Sequence, residues 1–396
     1  MTLADVRAAG TRLQGVAHYT PLVHSATFSQ ATGAGVHLKC ENFQRTGSFK
    51  IRGAYNRLSL LSPAERKRGV VAASAGNHAQ GVALAAQLLG IDATVFMPES
   101  TPLAKVAATQ SYGARVHLEG GSYEEALAAA QRLCAASRAT LVHPFDDEAV
   151  IAGQGTIGLE VLADMPDPFD AIVVPVGGGG LIAGIAVALK ALKPSVRVYG
   201  VEAAAASHVR GDAGRPASST IADGINIRHC GALTQPLIDA LVDDVVAVEE
   251  EDISRAIVML LERSKMVVEG AGAVGLAALL SNRLDLAGQN VAVVLSGGNI
   301  DINLMAKVIE HGLATAGRYL VFETWLQDRP GELLKLLQLL LDERVNILSV
   351  EHRRPASFPE VEVMLTVETR DAAHGDRLLD LLHAHAYRVE RLALGS

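Results

Sequence analysis

The stretch Glu41-Asn-Phe-Gln-Arg-Thr-Gly-Ser-Phe-Lys-Ile-Arg-Gly-Ala54 places one lysine, Lys50, between Phe49 and Ile51, with Gly47 and Gly53 on either side. A lysine beside an aromatic ring is a candidate nucleophile towards a carbonyl. Partial desolvation disfavours the ammonium and frees the amine. Phe49 offers a flat apolar face to a heteroaromatic ring. The plainer alternative is a solvated lysine at a helix start, capped by Thr46 or Ser48.

Three further blocks can do chemistry. Ser74-Ala75-Gly76-Asn77-His78 stands between an apolar run and an alanine-rich run. It reads as a turn opening a helix, whose unpaired N–H groups suit an anion such as an α-carboxylate. A simple capping turn with Asn77 at the N-cap is the alternative. Gly177-Gly178-Gly179-Gly180 is followed by Leu181. Strand, glycines and helix form a phosphate cradle, because bare backbone lets oxygens approach successive N–H groups. A dinucleotide site is the rival reading, since Glu202 ends the next strand about twenty residues on. That fingerprint is imperfect and lies mid-chain. Ser296 ends the apolar run 291–295. Its hydroxyl can partner a pyridine nitrogen or belong to an ordinary turn.

The elements that must position these groups follow from periodicity. Residues 1–13 and 51–60 have helical spacing, and 36–40 reads as a strand feeding the Lys50 loop. Strands at 70–73, 93–97, 115–118 and 140–142 alternate with helices at 79–89, 102–112 and 122–137. Strands at 171–176, 198–201 and 291–295 alternate with helices at 181–192 and 252–263. Such alternation predicts an α/β fold with largely parallel sheets. The Ser74, Gly177 and Ser296 blocks all fall at carboxyl ends of strands, where open α/β sheets bind ligands.

Composition bounds the rest. The 396 residues allow two or three domains, and 49% hydrophobic with 20% charged residues describes a globular enzyme with a large core. A net charge of -8 argues against nucleic acid or anionic membrane as the main partner. Cys40, Cys134 and Cys230 lack metal-ligand spacing and suit a reducing, cytoplasmic setting. The uncharged run 171–189 is interrupted by Pro175 and the glycines, so it predicts strand, loop and helix rather than a membrane span.

The Lys50 stretch resembles the pyridoxal 5′-phosphate (PLP) attachment site of the serine/threonine dehydratase family, and every fixed position of that pattern is filled. The Ser74 turn, Gly177–Leu181 and Ser296 also resemble that family's motifs, and the chain is most similar to its threonine ammonia-lyase branch. The resemblance implies the fold-type II, tryptophan synthase β-like architecture of two open lobes. It implies that Lys50 carries PLP and acts as base, and that Phe49 lies by the cofactor. Asn77 would touch the cofactor's phenolic oxygen, Gly177, Gly178, Gly179, Gly180 and Leu181 its phosphate, and Ser296 its ring nitrogen. Ser74, Ala75, Gly76, Asn77 and His78 would bind the substrate carboxylate. The implied reaction converts L-threonine to 2-oxobutanoate and ammonia, and L-serine to pyruvate. Serine racemase or hydroxyaspartate ammonia-lyase chemistry on the same scaffold is the alternative, and a PLP-less amino-acid sensor a remoter one. Racemases of the family carry serine where this chain has Ala75. Relatives with a cation site place an acid at Glu202 and a later aspartate where this chain has His208, so no metal is expected.

Composition shifts after residue 310. Residues 311–317 read as a linker between a catalytic part, 1–310, and a β-α-β-β-α-β pattern over 318–396. This last part resembles an ACT-type, ferredoxin-like regulatory domain. That resemblance implies effector binding, with isoleucine or valine expected, through Asp328, Pro330, Gly331 and Asn346, with Asp328 as a helix cap. A purely structural domain is the other reading. Paired domains would make the protein a homodimer or homotetramer.

Overall fold

The computed structural model describes residues 1–209, 220–315, 317–354 and 360–392. It divides into two compact units, Met1–Asp301 and Ile302–Ser396.

The first unit holds two sheets. The larger runs in the order Leu22–His24, Gly35–Cys40, Asn290–Leu295, Ala171–Pro175, Arg197–Ala203, Asp244–Val248. Only its first pair is antiparallel. Asn290–Leu295 and Ala171–Pro175 are apolar runs without alternation, as strands covered on both faces must be. The smaller sheet is all parallel, in the order Arg115–Leu118, Ala93–Met97, Val70–Ala73, Thr140–Leu141. The helix Lys50–Ser59 turns Ile51, Ala54 and Leu58 into the core of this small lobe, beside Val70, Ala72 and Val82. Helical spacing thus aims one face of the Lys50 helix at the small lobe.

Arg52, on the same helix, is 1% exposed. Its guanidinium donates to Glu41 at 2.7 and 2.9 Å and to Glu160 at 2.6 and 2.9 Å. Lys39, also buried, donates to Glu160 at 2.6 Å. Two cations and two carboxylates therefore neutralise one another inside the unit. This network anchors both ends of the loop that precedes Lys50.

The second unit opens with a helix, Ile302–Thr315. The linker expected at 311–317 is thus helical as far as Thr315, and Ala316 lies outside the described residues. Val308 and Gly312 are one helical turn apart and both buried, so small residues here serve packing and not flexibility. An antiparallel sheet follows in the order Asn346–Arg353, Glu360–Glu368, Tyr319–Gln327, Val389–Leu392. With helices Glu332–Asp342 and Ala372–Ala384 it makes the expected ferredoxin-like pattern. Leu394, expected in the last strand, lies outside the described residues. Among the described residues no helix is long and apolar enough to cross a membrane. The run 171–189 divides into the strand Ala171–Pro175, a loop and the helix Gly180–Leu192.

Candidate active site

A cavity of about 840 Å³ in the first unit is lined by Phe49 and Lys50, residues 74–78, residues 177–181 and Ser296. All the residues expected to do chemistry therefore share one space, although Phe49 and Ser296 lie 247 positions apart.

Lys50 is the first residue of its helix, and the N-cap position is Phe49, with no side-chain cap from Thr46 or Ser48. The Lys50 Nζ donates to the Pro144 carbonyl at 3.1 Å and lies 5.1 Å from the Phe49 ring centroid. Burial lowers the amine to about 8, against the nearby Glu269 carboxylate, which pulls it up. The amine is thus closer to its free-base form at neutral pH than an ordinary lysine. The Phe49 ring lines the cavity and also packs against the core of the large lobe.

The turn at 74–78 caps the helix Asn77–Leu89, with Gly76 and not Asn77 at the N-cap. No side chain satisfies this helix start, so its first N–H groups are available to an anion. The Ser74 Oγ accepts from the Gly76 N–H at 3.2 Å, which folds the turn. His78 Nε2 lies 2.9 Å from the Val142 carbonyl, and burial, then the Lys50 charge, lower its imidazole to about 3. It is neutral and fastens the turn to the small sheet.

The glycine loop opens the helix Gly180–Leu192 with Gly179 in a left-handed conformation, φ 87°. A side chain at Gly178 would overlap the Phe145 ring, which lies underneath. The loop is thereby left as bare backbone at a helix N-terminus, as a phosphate requires. Ser296 is 3% exposed and stands at the end of Asn290–Leu295.

Several groups that the motifs did not signal also line the cavity. Glu269 is 4% exposed, and its carboxylate accepts from the Asn77 Nδ2 at 2.7 Å. Burial, then the Asp223 charge, raise this carboxyl to about 7. Asn299 donates to the Asn77 Oδ1 at 2.7 Å. Lys105 of the small lobe meets Asp223 of the large lobe at 2.7 Å, both in the cavity wall. The Ser296-Gly-Gly-Asn299 run and the stretch 220–225 around Asp223 are the sequence signals available for these groups.

At the position of the relatives' cation site, Glu202 accepts from the Ser207 hydroxyl at 2.9 Å and from the His208 and Val209 N–H groups at 3.2 Å. Among the described residues no cluster of His, Cys, Asp and Glu is suited to hold a metal ion.

The expected effector residues do not converge within one copy. Gly331, φ 94°, is the N-cap of Glu332–Asp342 with no side-chain cap, and Asp328 instead meets Arg354 at 3.2 Å. Asp328 therefore fails as a cap because the glycine takes that position. Asn346 pairs with Glu368, which is also opposite Tyr319, whereas Gln327 is opposite Glu360. Asn346 and the 328–331 turn thus stand at opposite ends of the sheet, roughly 25 Å apart.

Comparison with known proteins agrees with this geometry. The chain is 50% identical over 400 aligned residues to an L-threonine ammonia-lyase of Thermotoga maritima, covering 98% of this chain and 99% of that protein. Among solved structures, it resembles the processed form of threonine deaminase isoform 2 from Solanum lycopersicum at 37% identity and TM-score 0.73, covering 78% of this chain and 91% of the other. It resembles maize serine racemase at 36% identity and TM-score 0.74, covering 79% and 98%. A family model described as pyridoxal-phosphate dependent enzyme matches residues 13–297, a span that holds Lys50, the 74–78 turn, the glycine loop and Ser296. With the lysine and the cradle facing one cavity, that match means that the chain belongs to the family of pyridoxal-phosphate dependent enzymes.

Proposed function

We propose that this chain deaminates L-threonine to 2-oxobutanoate and ammonia, and L-serine to pyruvate and ammonia. The observation that carries the reading is the convergence of an amine, a carboxylate-sized helix N-terminus and a phosphate cradle on one cavity. The threonine ammonia-lyase and threonine deaminase names of its relatives support it.

The residues present fit PLP. The Gly178 backbone is bare where a Cβ would strike Phe145, and the Lys50 amine is held by a carbonyl rather than by a carboxylate. When bound, PLP supplies an aldehyde for the lysine and a conjugated ring that acidifies the substrate Cα–H. Residues 177–181 would hold the phosphate through N–H groups. Ser296 would offer the ring nitrogen a neutral hydroxyl. The 74–78 turn holds the substrate α-carboxylate on the N-terminus of Asn77–Leu89. The Lys50 amine, poised near neutrality, takes the Cα proton. The β-hydroxyl then leaves with a proton as water, and addition of water to the C=N bond of the released imine gives the oxoacid and ammonia.

The test is an oxoacid assay on L-threonine and L-serine with the parent and Lys50→Ala. Turnover by the parent and its loss in the variant are expected. Equal turnover by both would refute the role of Lys50. Ala75 has no proton to deliver, so D-serine should form far more slowly than pyruvate. D-serine forming as fast would favour the racemase reading.

The second unit is assigned to regulation by a small branched amino acid, held at the 328–331 turn. Because Asn346 lies at the far end of the same sheet, a site using both requires two copies of the unit, consistent with a homodimer or homotetramer. The Asn346–Arg353 strand is an edge strand with Leu348 and Val350 exposed, which supports such pairing. A cytoplasmic setting is our reading from three cysteines that form no disulfide.

A further inference from the structure

The Asn77 carboxamide has two ends of opposite character, and both are taken. Its Oδ1 accepts from the Asn299 Nδ2 at 2.7 Å, and its Nδ2 donates to the Glu269 Oε1 at 2.7 Å. Asn299 is itself oriented, because its Nδ2 also donates to the backbone carbonyl of Thr46 at 2.6 Å. A carbonyl can only accept. The direction of the chain is therefore set at its backbone end: Asn299 must present nitrogen, so Asn77 must present oxygen to it. The Asn77 nitrogen must then face Glu269, whose Oε1 accepts from it. Turning the Asn77 amide over would set donor against donor at Asn299 and, with Glu269 ionised, acceptor against acceptor at Glu269. Among the described residues, one N–H of Asn77 has no assigned acceptor, in the cavity that also holds Lys50.

We propose that Glu269 and Asn299 are positioning residues that hold the Asn77 carboxamide in the one orientation offering its second N–H to the oxygen substituent of the cofactor ring. The inference rests on the reading of Asn77 as a cofactor contact. Thr46 anchors the arrangement in the loop that leads to Lys50, so the amide and the amine are referred to the same backbone segment. Glu269 is buried and uses the first turn before Gly270–Leu280 as its support, where its own N–H donates to the Gly297 carbonyl at 3.0 Å. Neither group needs to touch substrate for this role.

The experiment compares the purified holoenzymes of the parent, Glu269→Gln, Glu269→Ala and Asn299→Asp. The cofactor absorption maximum and the PLP dissociation constant are measured for each, with melting of the cofactor-free forms as a fold control. Glutamine can still accept from Asn77, so Glu269→Gln should keep the parent's maximum and bind PLP within about threefold. Glu269→Ala removes the acceptor and Asn299→Asp reverses one end, so both should shift the maximum and weaken PLP by about tenfold. If Asn299→Asp does not fold, Asn299→Ala is read with the same expectation. A parent-like spectrum and affinity in Glu269→Ala and the Asn299 variant would overturn the proposal, as would Glu269→Gln behaving like Glu269→Ala. Threonine turnover of the parent is assayed in parallel. Its absence would refute the proposed reaction, while the spectra would still decide the role of Glu269.

Discussion

The N–H of Phe49 donates to the carbonyl of Ser296 at 3.1 Å. Around this bond Ser48 bridges Gly297, and the Gly298 N–H donates to the Gly47 carbonyl at 2.8 Å. The loop that leads to Lys50 is therefore tied to the end of the strand that leads into Ser296. That strand, Asn290–Leu295, is paired on both sides and buried. The distance between the two ends of the cofactor site is thus set by main-chain bonds rather than by flexible side chains.

Gly178→Ala should weaken PLP binding about tenfold or more, because the added methyl overlaps the Phe145 ring and overpacking of this kind costs about 1–3 kcal/mol. Phe145 cannot yield easily, since it stands edge-on to His143 with ring centroids 4.6 Å apart. Equilibrium dialysis against PLP is the measurement, and unchanged affinity would show that the loop moves freely.

Lys50→Met should raise the stability of the cofactor-free protein at neutral pH, by at most about 3 kcal/mol. The folded amine titrates at about 8 and the unfolded one at 10.5. Between these values the unfolded chain holds the extra proton, so the parent gains stability as pH rises. The advantage of the methionine variant should therefore be largest below pH 8 and vanish above 10.5. Urea unfolding across that window checks it, and an advantage independent of pH would point to packing alone.

Arg52→Leu should destabilise the protein by about 3–5 kcal/mol, because it leaves Glu41 and Glu160 with Lys39 as their remaining cation. Added salt should do little to restore it, since the groups are buried. A loss below about 1 kcal/mol in urea unfolding would mean that water reaches these carboxylates.

A chain ending at Asp301 should keep threonine turnover and lose its response to isoleucine or valine. Such a coupling is typically about 1–3 kcal/mol, or roughly five- to a hundredfold in affinity. The cut belongs at Asp301, since one within 311–317 would sever a helix of the second unit. Steady-state kinetics of both forms across an effector series decide the matter. An equal response in both would remove the second unit from regulation.

The parts of the site that were legible in the sequence are those where backbone chemistry dictates residue type. A phosphate cradle must be glycine, and a nucleophilic amine must be lysine, so Gly178 and Lys50 announce themselves. Glu269 does not. A glutamate before Gly-Ala-Gly looks like any helix start, and its significance comes from Asn77, 192 positions away. Small residues misled at 311–317, because Gly312 is as useful for close packing as for a hinge. Asp328 misled in the same way: an acid before a helix is a plausible cap, yet a left-handed glycine at 331 occupies that place. The alternation of strands and helices gave the two lobes, but not the order of strands within each sheet, which depends on long-range pairing.

That order has a consequence for the birth of the molecule. The small lobe draws its four strands from one continuous span, Val70 to Leu141, and can close as soon as that span leaves the ribosome. The large sheet cannot, because Asn290–Leu295 inserts between Gly35–Cys40 and Ala171–Pro175. Until residue 295 is made, both of those strands have an unsatisfied edge in the middle of the future sheet. Ser296 is delivered by that last insertion. The nascent enzyme therefore passes through a long interval with a finished small lobe, a gaping large one and nowhere to lodge its cofactor. Pairings this distant in sequence fold slowly and leave edges open to aggregation. Expression at low temperature or with added chaperone capacity should raise the soluble yield, and supplying cofactor to the growing chain should matter only at the final step.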